Sequence, residues 1–436
     1  MIEAHAGIPS PRGESPPSPL RSIETAVQEK ARRESVDPAT FLGRQRMREL
    51  LEEEIAAWQS EYLRGLRPFA LLNAEELAER AWRNLTGYGP IEPLLEDPDV
   101  WEIMINAPDA IFAKRHQGIS GYHHEVFHDD EHVARIVTKL LEDSSTSHRK
   151  LDPAEGLQDA QLENGARVHI VHSDLTKGGH LVVNVRKFTG VAYRSLAEVV
   201  ELGMLTHEAA EFLRRAMRAR LSVIFAGAPG TGKTTLLSCC ANELDSSLRV
   251  VIAEEVFETD IGLPNVAHLQ CRPKRGERRE VDLRRLVAGF LRMAPDVAIV
   301  GEVRDQEALA LLLTLSSGVT GYATVHAGSA RQALARLRFL CQLSEVGQRL
   351  PAPALSALVS ETVDLVVQTA RISGRPAVSE ILAVEDPHTS QDSTAFTTTT
   401  VFERDHGTGT LCWTGNLPVR ARKHLQWEPE EQRSQL

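Results

Sequence analysis

The sequence predicts an α/β chain. A mixed α/β domain comes first, and a second, doubly wound α/β domain with helices on both faces follows. Three observations predict this. From Leu221 onward, short apolar runs suited to buried parallel strands alternate with helical stretches. From Gly87 to Thr189, Gly-Pro, Asp-Pro and Asn-Gly steps punctuate shorter apolar runs, the pattern of a mixed sheet. The 436 residues are 42% apolar and 25% charged, an ordinary globular composition with length for two to three domains at about 150 residues each.

Each element follows from its local pattern. Residues 1–35 carry Pro9, Pro11, Pro16, Pro17 and Pro19 and no aromatic residue, so they read as a disordered tail. Residues 36–86 read as a helical segment. Met47, Leu50, Leu51, Ile55, Trp58 and Tyr62 recur at helical spacing, and a second helix opens at Asn73 with Glu76 as its capping-box partner. Residues 87–189 form the N-terminal α/β domain, with strands expected at Trp101–Ile105 and Leu181–Val185. Residues 190–205 read as a linker. In the second domain, 206–385, strands are expected at Leu221–Phe225, Val250–Ala253 and Val297–Val300. Helices are expected at Lys233–Leu244, Asp305–Ser316 and Ala330–Leu343. Residues 386–436 read as a β-hairpin appendage, Phe396–Glu403 with Gly409–Trp413, and a frayed charged tail from Arg420.

Composition excludes several classes. With 49 basic and 60 acidic residues the net charge is −11, which argues against a general nucleic-acid binder. The five cysteines show no C-x-x-C spacing, so neither a disulfide framework nor a zinc site is expected. No apolar run reaches the roughly 18 residues of a membrane span, and no signal peptide is visible. A cytosolic location follows as the expectation, with any membrane association through a partner.

The strongest motif is Gly227-Ala228-Pro229-Gly230-Thr231-Gly232-Lys233-Thr234, followed by Thr235. It fits the phosphate-binding loop pattern G-x4-G-K-[ST]. Glycines let the backbone curl with its N–H groups toward phosphate oxygens, Lys233 meets the β- and γ-phosphates, and the Thr234 hydroxyl suits Mg²⁺. An apolar strand before it and a helix after it supply the required context. A second motif is the strand Pro295–Arg304, which delivers Glu302 at its carboxyl end. Gly301 stands where most phosphate-loop enzymes place a metal-holding Asp. Glu302 must then polarise the attacking water, position the metal's water shell, or both. The alternative is an acidic helix cap. Glu254 and Glu258 follow Val250–Ala253, the strand after the phosphate-loop helix, and can face the γ-phosphate and Mg²⁺, with Glu255 as the adjacent choice and a solvated acidic loop as the plain reading. His326 ends the strand Gly321–Ala327 and either senses the γ-phosphate or is an ordinary hydrogen-bonded histidine. Arg272, Lys274, Arg275, Arg278, Arg279, Arg284 and Arg285 read as a subunit interface or a solvated loop. Nucleic acid is disfavoured there, because no aromatics are interleaved.

Together these motifs resemble the secretion-system ATPases of the type II/type IV superfamily. Their Asp box, atypical Walker B and His box fall in order on Glu254/Glu258, Gly301-Glu302-Val303-Arg304 and Thr324-Val325-His326-Ala327. Gly87–Leu95, Ile103–Asn106, Asn164–Val168 and Val185–Phe188 look like the tight-adherence (Flp) pilus branch, the CpaF-like motor ATPases. The resemblance runs from Gly87 to Glu385. Ala294, Gly328 and Asp305 depart from the commonest residues of the pattern without removing a catalytic group.

The resemblance implies a RecA-like phosphate-loop NTPase domain and a hexameric ring that hydrolyses ATP. It also implies ATP and Mg²⁺ bound between the two domains, and an inner-membrane platform protein as partner. The expected output is pilus assembly or protein secretion, with the motor peripheral at the inner face of the membrane and no direct nucleic-acid contact. It casts Lys233 and Thr234 as holders of phosphate and metal, with Glu302 or Glu254 reaching the metal through water. Glu302 orients water, Glu254 and Glu258 tune metal and water, and His326 and Arg186 report nucleotide state. Arg284 and Arg292 match basic positions before the Walker B strand. The rival readings are a DNA-handling RecA-like ATPase and a non-catalytic nucleotide-binding regulator.

Overall fold

The computed structural model describes residues 18–115, 118–144, 150–162, 165–187, 193–272, 279–386, 395–405 and 407–425, except the side chains of 423 and 424. The chain divides into two compact units, Met1–Phe188 and Thr189–Leu436.

The N-terminal unit opens with helices α1 (Pro19–Arg33), α2 (Phe41–Leu63) and α3 (Ala74–Thr86). Helix α1 corrects the expected tail. Residues 1–17 lie outside the described residues, but Ser18 caps α1 and Pro19 occupies its first turn, where a missing N–H costs nothing. Leu20, Ile23, Val27 and Ala31 then pack with Met47, Leu50, Leu51, Trp58 and Ala81 of α2 and α3. Helix α3 starts as expected: Asn73 Oδ1 accepts from Glu76 N at 3.2 Å, and its Nδ2 donates to the Glu76 carboxylate at 2.8 Å.

The sheet of this unit has six strands: β1 (Val100–Ala107), β2 (Ala110–Arg115), β3 (Gly121–Tyr122), β4 (Leu157–Gln161), β5 (Arg167–Val171) and β6 (Val182–Arg186). Their order is β3-β2-β1-β6-β5-β4, and every pairing is antiparallel. The short helix α4 (Glu92–Glu96) precedes β1, and α5 (Asp130–Glu142) adds Val133, Ile136, Val137, Leu140 and Leu141 to the core beneath the sheet.

The second unit is built on a nine-stranded sheet. Its strands are β7 (Val223–Gly227), β8 (Val250–Glu254), β9 (Val266–Gln270), β10 (Val297–Val303), β11 (Thr320–Val325), β12 (Leu365–Ile372), β13 (Arg375–Val384), β14 (Thr398–Arg404) and β15 (Leu411–Trp413). The order is β15-β14-β13-β12-β7-β11-β10-β8-β9. From β12 to β9 the strands are parallel, and β13, β14 and β15 add antiparallel pairings. Strands β7 and β8 are buried at every position, which is why they read as unbroken apolar runs.

The helices here are α6 (Leu196–Glu201), α7 (His207–Arg218), α8 (Lys233–Ala241), α9 (Leu283–Ala288), α10 (Glu307–Leu315), α11 (Ala330–Gln342), α12 (Ala352–Thr362) and α13 (Arg422–Leu425). One core cluster takes α6, α7 and α8, and the other takes α9, α10, α11 and α12, one for each face of the sheet.

Two boundaries change. The expected linker contains α6, capped by Ser195, and Leu196, Val199, Met204 and Leu205 belong to the core. The expected hairpin appendage is the continuation of the main sheet. Val401, Phe402 and Leu411 are core residues, and Ala421 and Leu425 pack with them. Arg420, expected to fray, donates to the Ser360 and Val363 carbonyls and to Asp364. Residues 387–394 and 426–436 lie outside the described residues.

Candidate active site

The phosphate loop joins β7 to α8. Gly232 and Gly227 serve it for different reasons. Gly232 has φ +84° at the start of α8, the left-handed region that favours glycine. At Gly227, φ is +153° and a Cβ would lie 2.4 Å from Thr369 Oγ1. Thr369 belongs to β12, next to β7, and its hydroxyl lies 2.8 Å from Thr231 Oγ1 and donates to the Ala226 carbonyl at 3.0 Å. Thr231 also donates to Ala228 O at 2.8 Å. Arg371, two residues on, reaches Gly230 O at 3.3 Å. Sequence reasoning missed this brace, because nothing near the motif points to a strand more than a hundred residues away.

Lys233 is buried at the first residue of α8. Its Nζ donates to Ala228 O at 2.9 Å and lies 3.3 Å from His326 Nδ1. Thr234 and Thr235 follow it, partly exposed. His326 stands just past β11, between β7 and β10. Its Nδ1 is 3.2 Å from Gly227 O, and its Nε2 is 2.6 Å from Glu302 Oε1. Two protonation patterns satisfy these contacts. In one, Nδ1 accepts from Lys233; in the other, a cationic ring donates from Nδ1 to Gly227. In both, Nε2 carries the hydrogen that faces Glu302.

Glu302 lies near the end of β10, where pairing with β11 shifts register between Val300 and Val303. Its second oxygen accepts from Arg304 at 2.6 Å, and Arg304 also donates to Glu255 at 3.1 Å. Burial pushes the Glu302 carboxyl up, but His326 and Arg304 outweigh it and hold it down at about 2. Glu302 Oε1 is enclosed, and its 2.6 Å approach to His326 Nε2 is a close polar contact whose alignment falls short of a full hydrogen bond. The sequence reading gave Arg304 no role; the structure makes it the clamp on Glu302. The alternative role for Glu302, capping the following helix, is not taken up: α10 has no side-chain cap, and Glu307 at its first residue folds back so that its Oε1 accepts from the N–H groups of Arg304 and Asp305 at 2.5 and 2.8 Å.

Glu254 ends β8 beside Gly301. A Cβ on Gly301 would meet Glu254 Cγ at 2.8 Å and Oε1 at 3.1 Å. The missing Asp therefore has a steric cause: the carboxylate from β8 fills the space a side chain on Gly301 would enter. Glu254 Oε1 accepts from the N–H groups of Glu258 and Thr259, each at 3.0 Å, and Oε2 from the Thr259 hydroxyl at 2.9 Å. Burial pushes its carboxyl up to about 7 despite those donors. Glu254 thus fixes the loop that carries Glu255 and Glu258, and Glu258 lies close enough to Arg304 to act on its charge.

The structure brings together Lys233, His326, Glu302, Glu254 and Glu258. Arg186 ends β6 in the N-terminal unit, at register positions opposite Glu102 and Arg167. Of the basic cluster, 273–278 lie outside the described residues; Arg284 donates to Gln306 at 3.1 Å and Arg292 to Ala288 O at 3.4 Å. Asn164 also lies outside the described residues.

Among the described residues no group of three His, Cys, Asp or Glu is arranged to hold a metal. Mg²⁺ ordinarily takes one or two protein oxygens plus phosphates and waters. The Thr234 hydroxyl at the head of α8 fits that mode, and Glu302, whose oxygens face His326 and Arg304, would act on the metal through its water shell. Among the described residues no helix is long and apolar enough to cross a membrane.

The family described as "Type II/IV secretion system protein" matches residues 84–400. A Mycobacterium tuberculosis protein whose name refers to conjugal transfer is 31% identical over 307 residues, covering 68% of this chain and 84% of that protein. The type IV secretion system protein PtlH of Bordetella pertussis is 30% identical over 316 residues, 67% of this chain and 92% of PtlH. Among solved structures, the VirB11 ATPase of the Brucella suis type IV secretion system, in complex with sulphate, aligns at 25% identity with TM-score 0.36. That alignment covers 67% of this chain and 94% of VirB11.

Proposed function

This chain belongs to the type II/IV secretion system protein family, and from that premise we propose that it is an ATP-hydrolysing motor of a secretion or pilus machine. The observation that carries the proposal is the run of contacts from the phosphate loop to the acid of β10: Lys233 to His326, His326 to Glu302, Glu302 to Arg304. Phosphoryl transfer is catalysed mainly by positioning and charge stabilisation, and this run supplies both. Lys233 leaves Ala228 O to meet the β- and γ-phosphates. Mg²⁺, when bound, neutralises phosphate charge next to the Thr234 hydroxyl. A carboxyl held at about 2 is a weak base, so Glu302 acts by orienting and polarising the attacking water rather than by storing its proton. Glu258 and Glu255 tune the water shell from the β8 loop. His326 reports phosphate occupancy to Glu302.

We further assign the chain to the tight-adherence pilus branch, as a homo-hexamer that works on an inner-membrane platform protein. Arg186 serves the nucleotide from the N-terminal unit. PtlH, named for a type IV secretion system, supports the broader reading. The test is turnover of ATP by the purified protein with Mg²⁺, with and without DNA, alongside light scattering with a non-hydrolysable analogue. Mg²⁺-dependent, DNA-independent hydrolysis by a hexamer is expected. Absence of turnover in every oligomeric state would refute the motor. Genes for prepilins and a membrane platform beside this one are expected for the pilus branch.

A further inference from the structure

We infer that a cavity beside the phosphate loop binds inorganic phosphate as it leaves the catalytic site, with Arg336 as its cation; this rests on the hydrolysis reading above. The cavity measures about 440 Å³ and is lined by Ala228, His326, Ala327, Gly328, Gln332 and Arg336. Two of these residues tie it to the chemistry. The Ala228 carbonyl accepts from both Lys233 Nζ and the Thr231 hydroxyl. His326 touches Lys233 and Glu302. The cavity therefore starts at the groups that surround a γ-phosphate, and a hydrolysed phosphate need cross no strand to enter it.

The other wall is α11. Gln332 and Arg336 are four residues apart and share one face of that helix. Arg336 is exposed, and among the described residues no hydrogen bond or ion pair engages its guanidinium. No carboxylate lines the cavity. A planar guanidinium with its donors unspent is the side chain best shaped to take two phosphate oxygens at once. Gln332 supplies a neutral donor next to it. Its amide lies over Gly328, where a Cβ would come within 2.8 Å of Gln332 Oε1, so glycine leaves the room that lets the amide reach the cavity wall. The space holds a phosphate with several waters at about 30 Å³ each. No bond is made or broken in this step: the phosphate moves from the loop to the cavity while ADP stays on the loop.

The experiment titrates inorganic phosphate into the full-length protein loaded with Mg²⁺ and ADP, by calorimetry, in parallel with a non-hydrolysable ATP analogue on the unloaded protein. Arg336→Gln should weaken phosphate at least about tenfold, since charge-assisted bonds are lost, and should change analogue affinity less than about twofold. Arg336→Lys should fall between, keeping charge without the fork. Gln332→Ala should give a smaller loss and stands in if Arg336→Gln does not fold. Unchanged phosphate affinity in Arg336→Gln overturns the inference. Equal loss of phosphate and analogue also overturns it, by assigning Arg336 to the γ-phosphate of bound ATP. Wild-type turnover is scored separately. Turnover without phosphate binding refutes the cavity alone; phosphate binding without turnover supports the cavity and refutes the hydrolysis reading.

Discussion

Restoring the usual metal-binding Asp at residue 301 should damage this protein. A Cβ there meets Glu254 Cγ at 2.8 Å, Oε1 at 3.1 Å and Cβ at 3.4 Å. Glu254 cannot swing aside cheaply, because the N–H groups of Glu258 and Thr259 and the Thr259 hydroxyl hold both of its oxygens. Gly301→Ala isolates the steric part. Overpacking a tight site costs about 1–3 kcal/mol, which for a unit of this size lowers Tm by roughly 2–10 °C. Gly301→Asp adds a second buried carboxyl against one already pushed up to about 7. Two such groups cannot both ionise easily, so the folded pair retains a proton that the unfolded chain gives up. The folded state then binds more protons, and its stability falls as pH rises, by about 1.4 kcal/mol per pH unit for each proton retained. The gap in Tm between Gly301→Asp and Gly301→Ala should therefore widen from about pH 5 to about pH 8. Calorimetric melts of both variants across that range, with turnover alongside, make the test. A Gly301→Asp protein as stable and active as wild type would refute the steric account of the missing Asp.

Three further outcomes are expected. Lys233→Ala should abolish hydrolysis and weaken ATP binding, because no other cation lies within the loop; turnover and analogue binding in the variant check it. Glu302→Gln should bind ATP and hydrolyse it about 10²-fold or more slowly, since the amide keeps shape but cannot serve His326 and Arg304 together as an anion does; normal turnover would move the water-positioning role to Glu254 or Glu258. Arg186→Ala should lower turnover more than ATP affinity, whereas a drop in Tm with unchanged turnover per folded molecule would confine Arg186 to a local role at the end of β6.

The strands of the second unit were legible because a parallel sheet buries both faces, so β7, β8 and β10 run apolar without alternation. What misled was punctuation. Five prolines coloured the whole N-terminal stretch as tail, yet Pro19 is a helix-start residue, and Leu20, Ile23, Val27 and Ala31 repeat at helical spacing behind it. The linker reading overlooked a capping box. Ser195 Oγ accepts from Glu198 N at 3.3 Å and donates to its carboxylate at 2.9 Å, a signature the order S-x-x-E carries openly. The hairpin β14–β15 was visible as a pair. Its place in the sheet was not, because nothing in the pair itself marks the antiparallel register of Thr398–Glu403 with Glu380–Val384 on β13.

The site shows the same division more sharply. Sequence pattern puts Glu254 and Glu302 at the ends of two strands and treats them alike. Their surroundings separate them. Glu302 faces two groups that can carry positive charge, Arg304 just past β10 and His326 just past β11, while Glu254 faces N–H and O–H dipoles inside its loop and the like charge of Glu258. Burial acts on both, and only the paired one overcomes it: about 2 for Glu302 against about 7 for Glu254. Two carboxyls pushed apart in this way take different work. The one held ionised at every working pH can polarise water without exchanging its proton. The one titrating near neutrality is set by the folding of its loop, so a change in that loop alters its charge. Arg304 ties these fates together, since it binds Glu302 and Glu255 at once, and Glu255 rides on the loop that Glu254 holds. A rearrangement of the β8 loop therefore reaches Glu302 through one guanidinium, a connection that neither motif reveals on its own.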